Sequence, residues 1–274
     1  MPARRRRVKV ALIILAVLVV AGVAAYFALR PTVRRVTRPT DVPAAKLAGD
    51  ELLASQDTTV VVFIAHPDDA EWWIAGTLGM LAKHNRVVLV LGTSGDAGNS
   101  GLQTDLGAIR EKLQVEGAAV LGYADVVFLR HPDGHLVEAK EYPREVADII
   151  EREDPATVIT FDTEVEGPVY RHVDHEAAGR TALKAARDHG GIALYLFHTS
   201  KPDVLADFGP VKDAKTKALT ILASYHDSSP LAWLTKLART AGLEHAAMSF
   251  GGRSRFPEVG VEYGELFRKD DSAR

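Results

Sequence analysis

The stretch VVFIAHPDDAEWW, Val61 to Trp73, is an apolar run that ends in His66, Pro67, Asp68 and Asp69, with Glu71 two residues on. Further along, RHVDHEAAG groups Arg171, His172, Asp174 and His175. Imidazoles and carboxylates at this spacing have two explanations. Asp68 could cap a helix with Glu71 closing a capping box, and Asp174 could cap another, the histidines being merely exposed. Alternatively, His, Asp and His supply the three ligands of a mononuclear catalytic zinc site, which keeps a position open for water. Neighbouring aspartates on a turn point apart, so one can bind the metal while the other faces the water as general base.

Such a site needs a frame that carries both clusters to one edge. Strand-like runs at Thr58–Ala65, Arg86–Gly92, Val126–Arg130, Thr157–Phe161 and Ile192–His198 alternate with helical patterns near 70–84, 106–121, 142–152, 176–188 and 211–223. Apolar strands without alternation, joined by helices, predict a three-layer α/β/α, Rossmann-like domain with a mostly parallel sheet. Ligands of an open sheet sit beyond the carboxyl ends of its strands. Those ends carry His66, Asp68, Asp69 and Glu71; Thr93, Ser94, Asp96 and Asn99; His131 and Asp133; and Asp162, Tyr170, Arg171, His172, Asp174 and His175. Two titratable clusters at one edge make coincidence the weaker explanation. A dinucleotide or P-loop site is not indicated, because GTSGDAGNSG lacks the G-x-G-x-x-G spacing and no Walker motif occurs.

The start of the chain reads differently. Arg4–Arg7 and Lys9 precede ALIILAVLVVAGVAAYFAL, Ala11 to Leu29, whose 19 residues carry no charge. As a helix these residues span about 28 Å, close to a bilayer's hydrocarbon core, which predicts an N-terminal transmembrane anchor rather than a shorter signal-peptide core. The cationic excess before the run over that after it favours a single-pass protein with its domain outside the cell membrane. Three prolines and many charges predict a linker over 30–46 and a folded domain over 47–274. There is no cysteine, hence no disulfide or thiolate site. Beyond residue 38 there are 24 basic against 36 acidic residues, which argues against nucleic acid as a partner. Nothing fixes an oligomeric state.

AHPDDAE followed by HVDHEAAG resembles the LmbE-like (PIG-L) family of zinc-dependent N-acetylglucosaminyl deacetylases. Thr93 and Gly95, AIREKLQVEGAAVLG (Ala108–Gly122), PDG (Pro132–Gly134) and GELF (Gly264–Phe267) extend the resemblance over essentially the whole domain. It implies His66, Asp69 and His175 as zinc ligands, Asp68 as general base, and His172, oriented by Asp174, as oxyanion stabiliser. It further implies Tyr170 at the carbonyl oxygen and Arg110 against the sugar; a helix-surface Arg110 paired with Glu111 or Gln114 is the alternative. Arg171 stands where the family often has a small residue, and could meet a substrate phosphate or carboxylate or be solvated. ALTILASYHDSS departs from the family near the distal part of the pocket. Trp72 and Trp73, unusual beside this motif, suit sugar stacking or core packing. The implied activity removes an N-acetyl or other N-acyl group from an amino-sugar conjugate or glycolipid. An amidase for non-sugar N-acyl compounds is the rival enzyme. A membrane-tethered sugar-binding module without turnover would need neither Asp68 nor His172.

Overall fold

The computed structural model describes residues 38–97, 105–166, 171–224 and 254–271. The expected anchor, Tyr170, Asn99 and residues 225–253 lie outside them. Among the described residues no helix is long and apolar enough to cross a membrane.

Helix α1 (Val42–Leu53) begins inside the segment expected as linker. Asp41 Oδ1 accepts the Ala44 N–H at 3.0 Å, and Pro43 sits in the first turn, where its missing N–H costs nothing. Strand β1 (Thr59–Ile64) is TVVVFI, β-branched and aromatic, and buried from Val60 onward. Each such side chain contributes about 1.5–3 kcal/mol by leaving water. The run expected as one helix after it is two, α2 (Asp69–Trp73) and α3 (Ala75–Leu81), interrupted at Ile74. The chain continues through β2 (Arg86–Thr93), α4 (Leu106–Leu121), β3 (Asp125–His131), α5 (Tyr142–Glu153), β4 (Thr157–Phe161), α6 (Val173–His189), β5 (Ala193–Phe197), β6 (Val204–Asp207), α7 (Lys212–Ala223), β7 (Ser254–Phe256) and β8 (Val261–Asp270).

The sheet order is β3-β2-β1-β4-β5-β8-β6, with β7 paired to β8. The first five strands in that order are mutually parallel, and β8 runs antiparallel to β5, β6 and β7. The fold is thus mixed α/β with a mostly parallel sheet, as expected, plus an antiparallel edge. Helices α5 and α6 contact each other, as do α4 and α7, and α3 and α7. Strand order reverses between β1 and β4, which pair through Val60–Thr157, Val61–Val158 and Val62–Ile159. Such a switch point opens a crevice at the carboxyl ends of the two strands. Helix α6 lies close to this edge because Gly179 has no side chain: a Cβ there would be 2.6 Å from the Phe161 carbonyl oxygen.

Candidate active site

β1 delivers Ala65 and His66, both buried, into a tight turn. Asp69 closes it: its Oδ2 accepts the N–H groups of Ala65 (3.2 Å) and His66 (2.8 Å). Burial works against this carboxylate, but His175 and His66 beside it hold its pKa well below the usual range. The other oxygen, Oδ1, is 3.1 Å from His175 Nε2. His175 projects from the first turn of α6, its ring stacked on Phe161 at 4.1 Å between centroids and 10° between planes.

His66 is gripped from both sides. Its Nδ1 is 3.4 Å from Asp69 Oδ2, while Nε2 is 3.0 Å from Asp133 Oδ1 and 3.3 Å from Asp174 Oδ2. Asp174 is itself fixed by the N–H groups of Gly134 (2.6 Å) and Leu136 (3.0 Å). Nε2 serves these two carboxylates as a donor, which leaves Nδ1, on the side of Asp69, as the nitrogen that would give up its proton to hold a metal. The three ligands expected from sequence are therefore brought together.

His172 behaves differently from expectation in one respect. It N-caps α6, its Nδ1 accepting the Asp174 N–H at 3.2 Å, so the histidine and not the Asp174 carboxylate is the cap. Asp174 positions His172 through its backbone, and its carboxylate serves His66 and the turn at Gly134. With Nδ1 accepting, the remaining proton of a neutral ring is on Nε2. Burial, together with the charges of His66 and His175, lowers the His172 pKa, which keeps it a neutral donor. Ligand nitrogens of His66, His172 and His175 all lie within 4.8 Å of one another.

The donor set fits a divalent cation. Asp68, Asp69, Asp133 and Asp174 surround three imidazoles and the Arg110 guanidinium. Burial disfavours charge on His66, yet Asp133, Asp174 and Asp69 outweigh it and push its pKa up to about 12. The cluster draws positive charge to this point. Nitrogen and carboxylate ligands from His66, Asp69 and His175 are those that zinc takes. A second grouping, His66 with Asp133 and Asp174, also has converging ligand atoms. There both Asp174 oxygens already accept backbone N–H groups, so it orients His66 instead.

Asp68 stands at the N-cap position of α2 yet makes no side-chain cap bond, so the capping-box explanation fails. Its backbone is left-handed, φ 89°, ψ −19°, a conformation costing a non-glycine residue about 1–3 kcal/mol and often found at functional sites. Its N–H donates to Gln114 Oε1 at 3.0 Å, and Oδ2 is 3.2 Å from Arg110 Nη2. Burial raises its pKa to about 6 against the opposing pull of Arg110, near the neutral range in which a general base works. Arg110 is buried on α4, also donating to the carbonyls of Gly95 (2.9 Å) and Pro67. It is no helix-surface residue.

A cleft of about 420 Å³ opens over this cluster, walled by Trp72, Trp73, Arg110, Asp133 and His172 among others. Trp73 packs against the core and lies over His198 at 4.5 Å, whereas Trp72 is half-buried on the cleft wall. Arg171 borders an adjoining recess and donates to Glu176 at 2.7 Å. Not every residue expected at this edge serves the site. Asp162 takes a two-point bond from Arg268 (2.9 and 2.8 Å), and Ser94 donates to Glu111 at 2.5 Å. Sequence reasoning placed Asp133 at this edge without a task, named Gln114 only as an alternative partner of Arg110, and missed His198, which was findable as a polar residue at the end of β5.

GELF acquires a physical meaning here. Glu265 accepts the N–H groups of Gly76 (3.0 Å) and Thr77 (2.7 Å), capping α3 from a distant strand, and pairs with Lys215 Nζ at 2.6 Å. Lys215 also reaches the Trp72 carbonyl at 3.5 Å. This explains the interruption at Ile74.

Residues 61–186 match the family model described as PIG-L, GlcNAc-PI de-N-acetylase. Diacetylchitobiose deacetylase of Thermococcus kodakarensis is 26% identical over 205 residues, covering 67% of this chain and 76% of that protein. A Bacillus anthracis protein named probable N-acetyl-alpha-D-glucosaminyl L-malate deacetylase 2 is 32% identical over 136 residues, 46% of this chain and 58% of its own length. Among solved structures, N,N'-diacetylchitobiose deacetylase from Pyrococcus horikoshii superposes with a TM-score of 0.64 at 24% identity, over 82% of this chain and 91% of that one.

Proposed function

We propose that this chain, whose residues 61–186 match the PIG-L family model, is a zinc-dependent hydrolase removing the N-acetyl group, or another N-acyl group, from an amino-sugar conjugate. The observation that carries this is the convergence of His66, Asp69 and His175 at the floor of an open cleft, with the left-handed Asp68 beside them. The names of the relatives, deacetylases of acetylated amino sugars, point the same way.

A bound zinc ion would supply Lewis acidity, polarising the amide carbonyl and making water acidic enough to attack near neutral pH. The protein's own groups do the rest. Asp68 accepts the proton of the attacking water and passes it to the leaving amine nitrogen. Its raised pKa suits both transfers. His172 donates its Nε2 proton as a hydrogen bond to the developing oxyanion, and Tyr170 joins it there. Arg110 holds the Asp68 carboxylate and borders the sugar. Trp72 offers the sugar a half-buried aromatic face, while Arg171 at the adjoining recess meets an anionic part of the aglycone. The Ala11–Leu29 segment tethers the domain to the outer face of the cell membrane, where glycolipids and sugar conjugates are accessible.

The test is acetate release from a panel of N-acetylglucosamine conjugates by zinc-loaded protein, with N-acyl amino acids as the non-sugar arm. Turnover of the sugar panel supports the proposal. Turnover confined to the N-acyl amino acids supports the rival amidase, and sugar binding without turnover supports the non-catalytic module.

A further inference from the structure

Asp68 raises a problem that its own sequence neighbourhood does not solve. It is a non-glycine residue at φ 89° with no side-chain bond to the helix it precedes. Something outside the turn must hold it there. The grip comes from one face of α4, where Arg110 and Gln114 are four residues apart and so lie one above the other. Arg110 takes the carboxylate (3.2 Å) and Gln114 the backbone N–H (3.0 Å) of the same residue.

Only a side chain with an acceptor and a donor fits at 114. The Asp68 N–H can only donate, so Gln114 must present its oxygen there. Its amide nitrogen then faces Glu71 Oε1, 2.9 Å away. Glu71 and Gln114 have no exposed surface, and Glu71 belongs to α2, the helix that Asp68 opens. The amide thus has its rotation fixed at one end and fixes the Asp68 backbone at the other. Resting on the hydrolytic mechanism above, we infer that Gln114, oriented by Glu71, is the positioning residue that keeps the general base in its productive left-handed conformation.

A residue that merely filled space would leave the turnover number alone. In the full chain, Gln114→Leu keeps the volume and removes both hydrogen bonds. It is expected to lower kcat by about 10- to 100-fold, the cost of a base misplaced by roughly an ångström, with KM and zinc content unchanged. The double variant Glu71→Gln/Gln114→Glu reverses donor and acceptor across the pair yet still offers an oxygen to Asp68, and is expected to recover most of the lost kcat. An unchanged kcat in Gln114→Leu overturns the inference, as does a double variant no better than the single one. Crystal structures of the wild type and Gln114→Leu test it independently of turnover. Asp68 is expected to leave the left-handed region in the variant, and an Asp68 that stays there overturns the inference. A wild type that releases no acetate from any conjugate counts against the hydrolytic mechanism alone, since the two structures still decide the positioning role.

Discussion

Two buried ionic clusters lie on either side of the interruption between α2 and α3, and they are built on opposite principles. In one, Lys215 and Glu265 are sealed, with side-chain exposures of 1% and 0%. Glu265 also accepts two backbone N–H groups and the Thr77 hydroxyl. One cation meets one carboxylate, and both are closed off from solvent. In the other, four carboxylates crowd three imidazoles and one guanidinium beneath an open cleft. Buried charge that is matched and closed is architecture. Buried charge left in excess beside open space is where a cation and chemistry belong.

The comparison breaks first where it predicts most. Lys215→Met strands a buried Glu265, a change worth about 3–5 kcal/mol, so urea denaturation should register a loss of that size while the folded fraction keeps its zinc and its turnover per molecule. A loss under about 1 kcal/mol would mean that the sealed pair is not structural. His172→Ala should act the other way round. Acetate release should fall by about 10²- to 10³-fold for want of an oxyanion donor, whereas stability should drop by only about 1 kcal/mol, the worth of the lost α6 cap. Stability lost on the Lys215 scale would place His172 in the architecture. Asp133→Asn is the mildest. It weakens the orientation of His66 without removing a ligand, and zinc affinity by competition with a chelator should fall about 10- to 100-fold. Complete metal loss would instead make Asp133 a ligand.

The sequence made the two clusters unequally legible, for a physical reason. The open one is written locally, in AHPDD at the end of the plainly apolar β1 and in HVDH at the start of α6. α4 was likewise legible to both ends, Leu106 and Leu121, because Gly122 terminates it at φ 81°. The sealed cluster is written across the chain. Nothing in WWIAGTL says that its helix stops at Ile74, because the cap is Glu265. Asp162 was misjudged for the same reason, since Arg268 lies on β8 at the far end of the domain. β6 and β8 escaped because their antiparallel pairing, beyond β5, lies outside the β-α rhythm. α1 was hidden by Pro43 and the two prolines before it, although Asp41 ahead of Pro43 is itself a helix-start signal.

The central claim is that adjacent carboxylates divide the work, Asp69 holding metal and Asp68 moving the proton. Both substitutions to Asn are nearly isosteric, so metal content and acetate release, measured on the same preparations, read the two roles separately. Asp68→Asn should retain about one zinc per chain and lose about 10²- to 10⁴-fold in turnover, the scale of general-base catalysis, while Asp69→Asn should lose the metal. If Asp68→Asn loses its zinc and Asp69→Asn keeps it, the roles are reversed. If both keep their zinc and full turnover, this stretch is not the catalytic centre.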